Sequence, residues 1–197
     1  MKQGEAKREN GVLYRFFGHL KTILNHKRLV RRHCFAVGLY VQGIMHDWSK
    51  YHPAEFFKGV RYYTGKFSPN RLEKQEYGFS KAWMHHKGRN KHHFEYWVDT
   101  TSSNEPGPKR VRGVKMPYRY VAEMFCDRGA ASKNYNKEAY TDADAWNYYL
   151  RSKDADILHP ETRAQIEELL QMLKDKGEKA TFAYLKEKIA IAKRQKV

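Results

Sequence analysis

Apolar residues recur at a helical period along most of this chain. From Leu13 to Ala36 they fall at Leu13, Phe16, Phe17, Leu20, Ile23, Leu24, Val30 and Phe35, which predicts one long helix that Gly38 stops. A short helix over about Tyr40 to Trp48 then runs back and carries His46-Asp47. Pro53 near a first turn opens another helix, through Val60, Tyr62 and Tyr63 to Gly65. Ser68 to Gly78 reads as a turn or short helix, Phe79 to His86 as a short helix, and Asn90–His92 as the start of another that runs through Tyr96-Trp97. Thr100 to Gly113 is the one clear loop, rich in Thr, Ser, Pro and Gly. At roughly 14 residues it is long for a connection inside a domain, and so a candidate mobile or functional loop. Helices follow over Pro117 to about Ser132, Ala139 to Arg151, Pro160 to Lys176 and Ala180 to Arg194. Strand signals are scarce, and no internal repeat or low-complexity tract is found. The pattern predicts an all-α fold, with residues 1–159 as the main helical domain and 160–197 as a C-terminal helical pair packed on it.

Composition narrows the class. The chain has 197 residues, of which 41% are hydrophobic and 14% aromatic, enough for a sizeable core. Two cysteines, Cys34 and Cys126, form no framework or C-x-x-C pair, so a reduced, cytoplasmic setting is expected. No apolar run reaches transmembrane length and no signal-peptide core is seen, so no membrane partner is expected. A formal charge of +16, spread along the chain, favours anionic partners. A phosphorylated small molecule or nucleotide is expected, with nucleic acid as a second class and oligomerisation left open.

Histidines change the picture most. Nine of the ten lie between His19 and His93, and four fall within His85-His86-Lys87-Gly88-Arg89-Asn90-Lys91-His92-His93. A single histidine is more often a surface or core residue, but imidazole clustered with carboxylate suits iron, manganese, zinc and similar ions. The run Gly43-Ile44-Met45-His46-Asp47-Trp48-Ser49-Lys50 sets an apolar stretch before a His-Asp pair. It resembles the signature of the HD-domain superfamily of helical, metal-dependent phosphohydrolases, which also contains some oxygenases.

That resemblance implies an HD-like helical bundle, here with additional C-terminal helices, and the pair on one helix. It also implies a histidine from an upstream helix, an aspartate from a later one, and further histidines for a second metal. His19, His26 and His33 recur every seven residues and share roughly one face of the first helix. His46 lies eight residues after Gly38, about 12 Å along a helix, and His26 lies at the most similar height on the other side of that turn. His26 is therefore the expected ligand, His19 the reserve, and His33 is read as a surface residue beside Arg31 and Arg32. Asp127, late on an apolar helix, fits the aspartate. Glu123, one turn before it, is a candidate to orient a ligand or act in catalysis. Asp142, Asp144, Asp154 and Asp156 read as surface.

One member each of His85-His86 and His92-His93 is expected to face metal, because helical neighbours diverge by about 100°. Lys50 and Arg89 are candidates to hold a phosphate, with Lys87, Lys91 and Lys115 near by. The chain also looks like a small bacterial and phage family of unknown function. That likeness rests on Met45-His46-Asp47-Trp48-Ser49-Lys50, Ala54-Glu55-Phe56-Phe57, the stretch from His85 to Trp97, Lys115-Met116-Pro117-Tyr118 and Glu123-Met124-Phe125-Cys126-Asp127.

The expected function is a phosphohydrolase using one or two divalent ions (Fe, Mn, Zn, Co or Mg). His26, His46, Asp47 and Asp127 would hold the first, and His85, His86, His92 and His93 are candidates for the second. Activated water would attack a nucleotide, cyclic nucleotide or other phosphoester. A di-iron oxygenase on the same ligands and a non-enzymatic basic nucleic-acid binder are the alternatives.

Overall fold

The structure is a computed structural model that describes residues 11–101, 110–152 and 157–194. Among these residues it is predominantly helical, with eight α-helices and one two-stranded sheet. Helix α1 (Val12–Ala36) ends in a Schellman motif: Leu39 N–H donates to the Cys34 carbonyl at 2.8 Å and Gly38 N–H to the Phe35 carbonyl at 3.1 Å. Gly38 has φ +79°, a region where a side chain is strained. Helix α2 (Tyr40–Met45) therefore folds straight back onto α1. Gly43 makes the contact close, since a Cβ there would lie 3.0 Å from the Cys34 and Phe35 side chains.

The polypeptide leaves α2 sooner than the sequence predicts. His46 is extended (φ −50°, ψ 129°) and Asp47 is left-handed (φ 53°, ψ 30°), so the pair sits in a turn and not on a helix. A short side chain such as Asp tolerates that conformation better than most. A single 3₁₀ turn, Trp48–Tyr51, leads to α3 (Pro53–Arg61), whose first turn takes Pro53 as expected. Helices α4 (Pro69–Tyr77) and α5 (Lys81–Lys87) follow.

Residues 90–93 do not start a helix. They form a turn, followed by a 3₁₀ turn at Phe94–Trp97. The flanks of the expected loop pair as strands β1 (Val98–Thr100) and β2 (Val111–Gly113), antiparallel with Asp99 opposite Arg112. The centre of that loop, 102–109, lies outside the described residues, as do Asp154 and Asp156.

Helix α6 (Tyr118–Asn136) is the spine. It packs on α1 on one side and on α8 (Pro160–Arg194) on the other. The helix expected from Ala139 is shorter, with a 3₁₀ turn at Lys137–Ala139 and α7 only at Asp144–Leu150. Asp144 is the reason: its carboxylate accepts from Thr141 N–H (2.9 Å) and Asn136 Nδ2 (2.7 Å), holding residues 140–143 in a non-helical cap. The two C-terminal helices are one span broken at Gly177 (φ 77°, ψ 172°). The apolar core gathers Val30 and Cys34 of α1, Val121, Phe125 and Cys126 of α6, and Ile166, Leu169, Leu170 and Leu185 of α8. No described helix is long and apolar enough to cross a membrane.

Candidate metal centre

Four buried or nearly buried side chains converge where α1, the 46–47 turn and α6 meet. His26 Nε2 lies 3.0 Å from Asp127 Oδ1, 3.4 Å from His46 Nε2 and 3.5 Å from Asp47 Oδ2. His46 Nε2 lies 3.2 Å from Asp47 Oδ2 and 3.5 Å from Asp127 Oδ1. Donors about 2.0–2.1 Å from a single ion stand roughly 3.4 Å apart at tetrahedral angles and roughly 2.9 Å apart at right angles. The observed separations fall between those values or within a tenth or so of them, so the four atoms fit one ion. They are the four residues expected for the first metal.

A second group shares Asp47. Its Oδ1 faces His86 Nε2 at 3.2 Å and His92 Nε2 at 3.4 Å, and His93 completes the set, all four donors lying within 4.8 Å of one another. One carboxylate thus spans two groups of imidazoles, with Oδ2 turned to the first and Oδ1 to the second. Both His92 and His93 belong to this group, against the expectation of one. The helical divergence behind that expectation does not apply, because residues 90–93 are a turn. Of the other pair, His86 faces Asp47, while His85 turns away and gives its Nδ1 to Glu55 Oε1 at 2.6 Å.

Carboxylates fix the rings from behind. Glu123 Oε1 lies 3.0 Å from His46 Nδ1 and 3.2 Å from His92 Nδ1, and Glu55 Oε2 lies 2.9 Å from His86 Nδ1. Nδ1–H donating to a carboxylate leaves the Nε2 lone pair pointing forward, the tautomer a metal ligand needs. Glu123 therefore acts on two rings at once. Ser49 Oγ (3.1 Å) and Asn90 Nδ2 (3.2 Å) also approach His86 Nδ1. Glu55, Ser49 and Asn90 were not recognised in the sequence. Glu55 stands in the first turn of α3, where an acid is the ordinary choice against the helix dipole, and that masked it.

Several donors of this arrangement are left without partners inside the protein. The Asp47 oxygens and the Nε2 atoms of His92 and His93 are fully buried, and none makes a well-aligned hydrogen bond within the protein. Burial opposes charge on all of these groups, and at all but His93 the neighbours prevail. The His46 imidazole is held well above its usual value by Asp47, Asp127 and Glu123. His92 is raised to about 9, against both burial and His46, by Asp47 and Glu123. Asp47 and Asp127 are held well below the carboxylate range by the surrounding histidines, with Lys50 also acting on Asp47. His93 goes the other way, lowered by burial and by His92 and His86. His46 and His92 thus hold positive charge beside the Asp47 and Asp127 carboxylates, while His93 stays neutral.

The remaining candidates separate. Lys50 is at the cluster, its ammonium 2.5 Å from Asp47 Oδ2, and its side chain keeps 29% exposure. Arg89 is exposed and bonds the His85 carbonyl at 3.4 Å, so the structure does not bring it to the cluster. Lys87 lies 3.9 Å from Glu95, and Lys115 pairs with Glu161 on α8. His33 corrects the expectation of a surface residue. It is 3% exposed, its Nδ1 lies 3.1 Å from the Cys126 carbonyl, and its ring meets Phe182 edge-on, because α8 covers that part of α1. His19 is buried against Phe56 and Tyr63 and belongs to neither group.

A family model described as a family of unknown function (DUF5662) matches residues 15–172. No curated protein and no solved structure matches the chain.

Proposed function

The chain belongs to that family of unknown function, and since the family supplies no activity we propose from the site itself that this is a metal-dependent phosphohydrolase of HD type. The observation that carries the reading is Asp47, whose two buried oxygens each face a separate set of imidazole nitrogens. His26, His46, Asp47 and Asp127 would hold one ion, and Asp47, His86, His92 and His93 a second. The order of these residues along the chain is the order that the HD resemblance implies. Divalent ions held there supply a water of lowered pKa and a charge that polarises a phosphoryl oxygen.

The protein's own groups do the rest. Glu123 and Glu55 hold the rings in one tautomer and orientation. Lys50 offers a point charge beside the cluster for a substrate oxygen. Access is from the side of Asp127 and Lys50, whose side chains are 17% and 29% exposed, while those of His46, Asp47, His86 and His92 are at most 3% exposed. The basic surface favours anionic substrates, of which nucleotides, cyclic nucleotides and other phosphoesters are the class proposed.

A second reading is supported by the donor balance. Five imidazoles against Asp47 and Asp127 suit iron as well as zinc or manganese, so a di-iron oxygenase would use the same residues.

Metal analysis of protein purified without chelator, wild type beside Asp47→Ala, tests the site. Near-stoichiometric metal in the wild type and loss from the variant are expected. Folded wild type that stays metal-free after reconstitution would overturn the reading. Turnover of a phosphoester panel then supports the hydrolase, and substrate-dependent oxygen uptake by an iron-loaded form supports the oxygenase.

A further inference from the structure

Lys27 follows His26 on α1 and is near enough to the cluster for the charges of Asp47 and Lys50 to reach it. Its ammonium nitrogen is buried and makes no hydrogen bond within the protein. It sits 4.8 Å from the centre of the Trp48 ring and 4.9 Å from that of Tyr51. Those rings meet edge to face at 5.7 Å and remain open to solvent, Trp48 by 61% and Tyr51 by 37%. The charged groups acting on Lys27 are Asp47, Lys50 and Arg31. Asp47 lies against the Lys50 ammonium and the facing imidazoles, and Lys27 makes no ion pair with it. Two cations, Lys50 and Arg31, and one anion, Asp47, are thus near enough for their charge to reach Lys27.

An ammonium has three donors, and leaving all of them unused out of water is costly. Facing aromatic rings attract the cation but accept no directed hydrogen bond. The 3₁₀ turn that follows Asp47 carries both rings, so the contact is built from the same local structure that presents the shared carboxylate.

We propose that Lys27, set against the Trp48–Tyr51 pair, is a phosphate-recognition subsite beside the metal cluster. It takes a phosphoryl group that is not the one undergoing reaction. This rests on the proposed function and narrows its substrate class to phosphoesters with a further anionic group. Arg31, one turn along α1, adds to the field that draws the anion in. The exposed indole of Trp48 is an apolar surface beside the bound phosphate.

The test is equilibrium binding of inorganic phosphate and of AMP to the metal-loaded protein, with metal content and melting temperature measured on every sample. Lys27→Met, which keeps the aliphatic stem beside the rings, is expected to weaken phosphate binding about tenfold without loss of metal. Lys27→Arg should restore most of it. Tighter binding of AMP than of phosphate assigns the ligand as a phosphoester, and equal binding assigns it as the free anion. Phosphate binding in Lys27→Met equal to wild type, or no binding in the wild type, would overturn the subsite.

If Lys27→Met loses metal, Trp48→Leu takes its place, with the same tenfold loss expected. A wild type that binds no metal defeats the proposed function and not this inference. The comparison of wild type and Lys27→Met is then read on the metal-free protein.

Discussion

The two sides of α6 show how differently one helix can be buried. Toward α8 it presents Val121 and Phe125 to Ile166, Leu169 and Leu185, an ordinary apolar contact. Toward the 46–47 turn it presents Glu123 and Asp127 to His26, His46 and His92. Val121, Glu123 and Phe125 are all buried and Asp127 nearly so, so burial is common to both sides. What differs is how burial is made tolerable. On the apolar side, removing hydrocarbon from water is itself favourable. On the polar side each buried carboxylate must be matched by hydrogen bonds and opposite charge, or it costs several kcal/mol. The apolar side carries stability, and the polar side draws on that stability to hold a cluster of charges together.

Perturbing each side should therefore fail in a different way. The largest effect is expected from Asp47→Ala, which removes the carboxylate common to both groups and should abolish the binding of two ions at once. Phe125→Ala should instead cost about 3–5 kcal/mol of stability, read by urea denaturation. The protein that stays folded should keep its metal per mole. Equal metal loss in both variants would erase the distinction between the sides.

A pH experiment sharpens it further. His19, outside the cluster, is lowered to about 4 by burial and by the Lys50 charge. Its folded value lies below the unfolded one of about 6.5. Its neutral form thus contributes stability that is present in full above pH 6.5 and is lost as pH falls toward 4. The loss is about 3 kcal/mol, and His19→Gln should flatten that part of the stability curve. The smallest effect is expected at Glu123→Gln, which keeps the shape but weakens the hold on two imidazoles. Metal affinity should drop about 10–100-fold with little change in melting temperature.

The helices were legible because periodicity, Pro at first turns and Gly at ends all agree in this sequence. Gly38, Gly78 and Gly177 mark three such ends, and each has positive φ. The expected donors of the first group also converge in space, because the spacing around Gly38 sets His26 and His46 at one height. The turns were harder to read. His46-Asp47 and His92-His93 were given helical geometry because nothing local forbids it, and contacts with distant elements decide otherwise. His33 was misread because its neighbours Arg31 and Arg32 are exposed, and the residues that bury it, on α6 and α8, lie more than ninety residues on. Glu55 was hidden by being at home in a helix's first turn. Its partners, His85 and His86, lie 30 and 31 residues away.

The distance along the chain between the partners of this centre also bears on how the protein reaches its native state. His46 and Glu123 are 77 residues apart, and helices α3, α4 and α5 all fold in between. Closing so long a loop is slow and entropically costly, and contacts of this kind form late. The hairpin of α1 and α2 can assemble early, with His26 and His46 already near each other. The full set of donors exists only once α6 has docked. If the proposed metal binds, its capture in the final geometry must therefore wait for that long-range docking of α6, and its rate would report on that step.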